Sequence, residues 1–126
     1  MGFEVGNTTF GFTMRVPKSD EASVDELISS HAQWMSETHS LGKEEGKLHT
    51  LEYFVSKATE FNDMMDPEKG STGNVIYTVN EVHIDDEHFG KHVELGQSWG
   101  RIGEFFELFE KYSPLVNMGG RVIQKL

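Results

Sequence analysis

Apolar and polar positions alternate with a period of two near the start of the chain. Phe10, Phe12, Met14 and Val16 fall on one face and Thr9, Gly11, Thr13 and Arg15 on the other, predicting a strand that ends at Pro17. The period then lengthens. Leu27, His31, Trp34, Met35 and Thr38 recur at helical spacing behind Ser23-Val24-Asp25-Glu26, which has the form of a capping box, so a helix is expected from there to near Gly42. Residues 40–47, rich in Gly, Lys and Glu, read as a loop. Leu48 to Lys57 reads as a second strand, apolar on both faces at Leu51, Tyr53, Phe54 and Val55. Residues 58–73, with Asp66-Pro67, Lys69-Gly70 and Thr72-Gly73, read as a long loop whose acids lack the spacing of a calcium-binding EF-hand.

Val75 to Ile84 predicts a third strand, followed by one long helix from Asp85-Asp86-Glu87 to Tyr112. On its wheel Leu95, Trp99, Ile102, Phe106 and Phe109 form the inward stripe, with Glu87, Lys91, Glu94, Gln97 and Arg101 opposite. His88 and His92 continue that stripe toward the N-terminus. Gly96, Gly100 and Gly103 flank it at a cost of about 1 kcal/mol each against Ala, which implies close backbone approach or room for a ligand. Phe105, Leu108 and Tyr112 fall off the stripe and leave the last turns apolar nearly all round. Pro114 stops the helix, and Leu115 to Leu126 reads as a last strand loosened by Gly119-Gly120.

The order β-α-β-β-α-β over residues 1–126 predicts a single α+β domain of the ferredoxin-like kind, a four-stranded antiparallel sheet with two helices on one face. Two helices leave the other face bare. Tyr53-Phe54-Val55 and Val75-Ile76-Tyr77 put apolar groups on both faces, so a homodimer, sheet against sheet, is expected.

Composition narrows the partners. With 37% apolar residues the 126-residue chain has enough to bury a core. Its net charge of −10, from 21 acids against 11 bases with no basic cluster, argues against nucleic acid and anionic membranes. The lack of any cysteine excludes disulfides, zinc–thiolate sites and thiol nucleophiles. No run of about 18 apolar residues and no signal-peptide pattern occurs, and Gly6 stands where a myristoylation signal needs Ser or Thr, so the expectation is a cytoplasmic protein.

Histidine supplies the candidate chemistry. If the helices run antiparallel, His88 and His92 approach His39, with His31 and Trp34 deeper along the same groove. The expected pocket is lined by His31, His88 and His92, with Trp34 and Trp99 as apolar walls. The helix dipole disfavours protonation of His88 and leaves it neutral, and His88 or His92 is placed to act as a general base. Their i, i+4 spacing also suits a metal, but no third ligand is identified, so neither metal nor cofactor is assigned. The plainer alternative makes each histidine a core or rim residue bonded to a backbone carbonyl, and the aromatics simple packing. His49 and His83, on strands, are expected to face the dimer or solvent.

The run Glu81-Val82-His83-Ile84-Asp85-Asp86-Glu87-His88-Phe89-Gly90-Lys91-His92 resembles the strand-to-helix junction of the dimeric α/β-barrel superfamily. In its antibiotic-biosynthesis-monooxygenase-like members a strand ending Glu-Val-Trp leads through an acidic turn into a helix with an aromatic or apolar residue, then a His three positions on. Glu81, Val82, Glu87, Phe89 and His92 match, and His83 stands where Trp is usual. The resemblance implies a dimeric α/β barrel and a cofactor-independent, monooxygenase-like enzyme acting on a small apolar or aromatic substrate. The catalytic candidates are then His92, His88 and His31, and the substrate-binding candidates Trp34, Trp99, His39 and Phe89. A non-catalytic dimeric small-molecule-binding protein using the same cavity is the alternative.

Overall fold

A computed structural model describes residues 2–126. Four long strands form one antiparallel sheet: β1 (Thr8–Pro17), β4 (Glu52–Phe61), β5 (Ser71–His83) and β6 (Leu115–Arg121), after the two-residue strands β2 (His39–Ser40) and β3 (Leu48–His49). The helices are α1 (Glu21–Thr38), α2 (Asp86–Gln97) and α3 (Ile102–Tyr112). Across the sheet the strands lie β4-β5-β1-β6. Each helical crossover therefore skips one place: α1 carries the chain from β1 to β4 with β5 between them, and α2–α3 carry it from β5 to β6 with β1 between. No helix among the described residues is long and apolar enough to cross a membrane.

The alternation in β1 decides which side of the sheet is dry. Phe10, Phe12, Met14 and Val16 are buried, and the cross-strand register puts Glu81, Val79, Tyr77 and Val75 of β5 beside them on the same face. All three helices cover that face. Val24, Leu27 and Ile28 of α1 and Phe105 and Leu108 of α3 complete the apolar core, while Phe89 of α2 stacks on Phe10 at 5.9 Å. Phe12 meets Phe105 and Phe109 edge to face, at centroid distances of 5.9 and 4.8 Å. Gly11 is forced by close approach, since a Cβ there would stand 2.5 Å from the Val79 carbonyl oxygen.

The other face is open, and it is more polar than the sequence suggested. Thr9, Gly11, Thr13 and Arg15 share it with Asn80, Thr78 and Ile76, and of the residues expected to make it apolar only Phe54 and Ile76 lie there. Tyr53 and Val55 pair with Glu81 and Val79 and so face the helices.

Four further expectations are corrected. The helix does not open on the Ser23 box. It starts at Glu21, directly after a single 3-10 turn, and the Ser23 hydroxyl donates back to the Asp20 carbonyl. Leu48-His49 splits from β4 and pairs in parallel with His39-Ser40. The long loop shrinks to residues 62–70, because β4 runs on to Phe61 and β5 begins at Ser71. The long second helix is two helices with a break at residues 98–101.

That break moves the inward stripe. The backbone N–H groups of Ser98, Trp99 and Ile102 bond three residues back instead of four, and this tightening rotates α3 relative to α2. Phe105 and Leu108 are consequently buried, while Phe106 is 52% exposed and Leu95 also faces outward. Of the flanking glycines, Gly96 lies against the Trp34 ring, whereas Gly100 and Gly103 have open space where a Cβ would sit, so no close approach explains them.

Candidate functional site

Helix α2 is anchored by its first residues. Asp85 is the N-cap, and its carboxylate accepts from the backbone N–H of His88 at 2.9 Å and faces the His88 Nδ1 at 2.7 Å. This contact keeps His88 at the rim, away from the crevice where the helical wheel put it, because a carboxylate at the helix start outcompetes the inward position for the ring. One turn on, His92 points inward and is 7% exposed.

His92 belongs to a buried chain of polar side chains. Its Nδ1 lies 2.9 Å from His39 Nε2, and His39 Nδ1 lies 2.7 Å from the Thr38 hydroxyl. Its Nε2 lies 3.1 Å from Glu81 Oε1. The same oxygen lies 2.9 Å from His83 Nε2, and His83 Nδ1 lies 3.2 Å from the Thr50 hydroxyl. Glu81 and His83 are both fully enclosed, with no side-chain surface exposed. Among the described residues no lysine or arginine pairs with Glu81, and its second oxygen, Oε2, is buried without a hydrogen-bond partner.

Two proton arrangements are open to this chain, and only the first gives the Glu81 oxygen donors. Each threonine hydroxyl has two acceptors in reach: Thr38 has the Trp34 carbonyl or His39 Nδ1, and Thr50 has the Val82 carbonyl or His83 Nδ1. If both donate to the imidazoles, every ring passes its N–H toward Glu81 and the carboxylate receives two donors. If both donate to the carbonyls, the Nδ1 atoms carry the protons and two Nε2 lone pairs converge on Glu81. Each ring carries one proton in both.

Electrostatics keep His92, His39 and His31 neutral. Burial, reinforced by the neighbouring rings of His83, His39 and His31, pushes His92 down to about 2, and burial pushes His39 and His31 down to about 4. Burial raises Glu81 above the usual carboxylate range, opposed by its contact with His83. An imidazole this hard to protonate is a weak general base at neutral pH, which weighs against that role for His92.

Beside this cluster runs an aromatic crevice of about 110 Å³. His31 and His92 line it together with Trp34, Phe89 and Trp99. The Tyr53 hydroxyl sits 2.9 Å from His31 Nδ1, and in the tautomer that accepts from it His31 Nε2 carries the N–H. A larger recess, about 610 Å³, lies on the open sheet face over Thr9, Gly11, Thr13, Phe54 and Asn80. It gathers no histidine.

The structure thus brings His31, His92, Trp34, Trp99 and Phe89 together and sets His39 directly behind His92, while His88 stands apart. Sequence reasoning missed Glu81 and His83 as inward groups. Their signal was available: Val75, Tyr77, Val79, Glu81 and His83 share one parity on β5, so the apolar residues fix the direction of the last two. Comparison with protein-family models, with curated proteins and with solved structures gives no match.

Proposed function

We propose that this chain is a homodimeric, ferredoxin-like protein of the dimeric α/β-barrel type that takes a compact apolar or aromatic molecule into the aromatic crevice, as a monooxygenase-like enzyme. The observation that carries the reading is the convergence of His31 and His92 on a crevice walled by Trp34, Trp99 and Phe89. Aromatic walls favour a flat apolar body, and the N–H of His31 offers a donor to a phenol or carbonyl oxygen on it. Support for the fold assignment is the skipped-strand order, in which two βαβ crossovers interlock in one antiparallel sheet. Support for the dimer is apolar surface left bare: Phe106, Leu115, Met118 and Ile123 are all more than half exposed.

A non-catalytic binding protein using the same crevice is the second reading, favoured by the absence of a nucleophile or a carboxylate from the crevice lining among the described residues. One titration addresses binding under either reading. Both tryptophans of the chain lie on the crevice, so phenol, catechol and naphthol should quench their fluorescence saturably, and Trp34→Ala should abolish the effect. Absence of saturation at millimolar concentration for all three would remove the crevice as a binding site. Oxygen uptake with a bound phenol separates enzyme from binder. Light scattering should give twice the 14.3 kDa chain mass, and a monomer at micromolar concentration would remove the barrel.

A further inference from the structure

The side chains of Glu81, His83 and His92 meet in the dry interior, with their ligand-capable atoms all within 4.8 Å of one another. We propose that these three residues form a binding site for a divalent first-row transition metal ion, held by His83 Nε2, His92 Nε2 and the Glu81 carboxylate. The site goes beyond the substrate reading and does not depend on it, since the crevice can hold an aromatic molecule with or without an ion.

Four observations converge. The first is spacing. Two donors that each stand about 2.0–2.2 Å from a shared ion are themselves roughly 3 Å apart, and the two Nε2 atoms lie 2.9 and 3.1 Å from Glu81 Oε1. The second is the orphan oxygen: Glu81 Oε2 is buried with no partner, an unfavourable position unless something fills it. The third is charge. No lysine or arginine stands beside the fully enclosed Glu81 carboxyl group among the described residues, so no fixed cation occupies the place an ion would take.

The fourth observation lies behind the ligands. Metal-bound imidazoles are usually held by a hydrogen bond from the ring nitrogen that does not face the ion. Both rings have such a partner here: His92 Nδ1 has His39 Nε2 at 2.9 Å, and His83 Nδ1 has Thr50 Oγ1 at 3.2 Å. His39 is oriented in turn by Thr38. The proton arrangement that frees both Nε2 lone pairs is the one in which the Thr38 and Thr50 hydroxyls donate to the Trp34 and Val82 carbonyls, both within reach at 2.8 and 3.1 Å. The donor set of two imidazoles and one carboxylate suits zinc or ferrous iron and their first-row neighbours better than calcium or magnesium, which prefer all-oxygen cages.

The ligand set differs from the one the helix suggests. His88 and His92 have the i, i+4 spacing of a helical metal pair, yet His88 is turned outward onto Asp85. This difference makes the proposal testable.

Full-length protein stripped with a chelator is titrated with Zn²⁺, Co²⁺ and Fe²⁺, the last without oxygen, by calorimetry and elemental analysis. The expected result is one ion per chain, with visible d–d absorption for Co²⁺. Glu81→Gln and His83→Gln should weaken binding by at least about 100-fold, and Thr50→Val, which removes only the orienting partner, by about 10–100-fold with the Co²⁺ spectrum retained. His88→Ala should leave affinity within twofold. Should the ligand variants fail to fold, the wild-type Co²⁺ form still decides: two paramagnetically shifted, slowly exchanging ring N–H signals are expected, from the Nδ1–H of His83 and His92. No saturable binding of any of the three ions, loss of binding in His88→Ala, or an absence of shifted ring N–H signals would each overturn the proposal.

Discussion

Strand β5 contributes two interiors to one face of one sheet. Its first inward residues, Val75, Tyr77 and Val79, pack against Met14, Val16, Val24 and Leu27, and its last two, Glu81 and His83, meet His92 and His39. Both ends are equally dry: Tyr77 is 1% exposed, and so is Glu81. They close by different means. At the apolar end the excluded water and dense contact suffice, and only the Tyr77 hydroxyl takes a specific partner, donating to Asp25 at 2.6 Å. At the polar end every buried donor and acceptor must be matched, and one oxygen is not. A chain selected for stability alone has no need of the second arrangement, since apolar residues of similar volume commonly do as well or better in such positions. The contrast is the reason to look for function at the Glu81 end.

The largest expected effect breaks the apolar end. Phe12→Ala removes the ring that Phe105 and Phe109 clasp and should cost about 3–5 kcal/mol in urea unfolding. A loss under 1 kcal/mol would mean that the aromatic core is not the main support of the sheet.

Next in size is a pH effect at the seam between the two ends, where His31 stacks on Phe105 and bonds Tyr53. In the unfolded chain a histidine takes a proton near pH 6.5, but burial holds His31 neutral in the folded protein down to about 4. Between those values unfolding takes up a proton, so stability falls as the pH drops from about 6.5 to about 4 and this contribution is flat below. The loss is on the order of 3 kcal/mol. In His31→Gln the slope of unfolding free energy against pH should flatten over that window. An unchanged slope would show that His31 is solvated or already charged.

The smallest effect sharpens the comparison from the polar side. Glu81→Ala strands two buried imidazoles and should cost about 1–3 kcal/mol. Glu81→Leu, which fills the space with apolar atoms, should recover part of that loss. If Leu proves worse than Ala, the polar end is needed for folding itself and its reading as a functional site weakens.

The comparison also marks how far the sequence could be read. Period-two alternation in β1 located the dry face, and the same parity carried along β5 reaches Glu81 and His83, so their burial was legible even though His83 was expected at the dimer or in solvent. His92 was placed inward by helical spacing and is buried there, whereas Phe89 was named only through the family resemblance. His88 does not point inward, because the Asp85 side chain holds it at the rim, and a wheel drawn on an ideal helix contains no such contact. Phe105 and Phe106 exchanged places for a related reason: the tightened turn at residues 98–101 resets the phase, and no repeat within the α3 residues records it.

What the sequence by itself determined is therefore local: the strands, the apolar parity, the helix-forming stretches, and the exclusion of cysteine chemistry. What only the tertiary structure decided is which polar groups meet. His39 and His92 are 53 residues apart in the chain, and Thr50 reaches His83 across 33. Their meeting depends on the rotation of α2 about its own axis, on the end of α1 and on the register of β5 against β4. Each of these is set by packing of the whole domain, and an error of one residue in any of them would carry the imidazoles to another face.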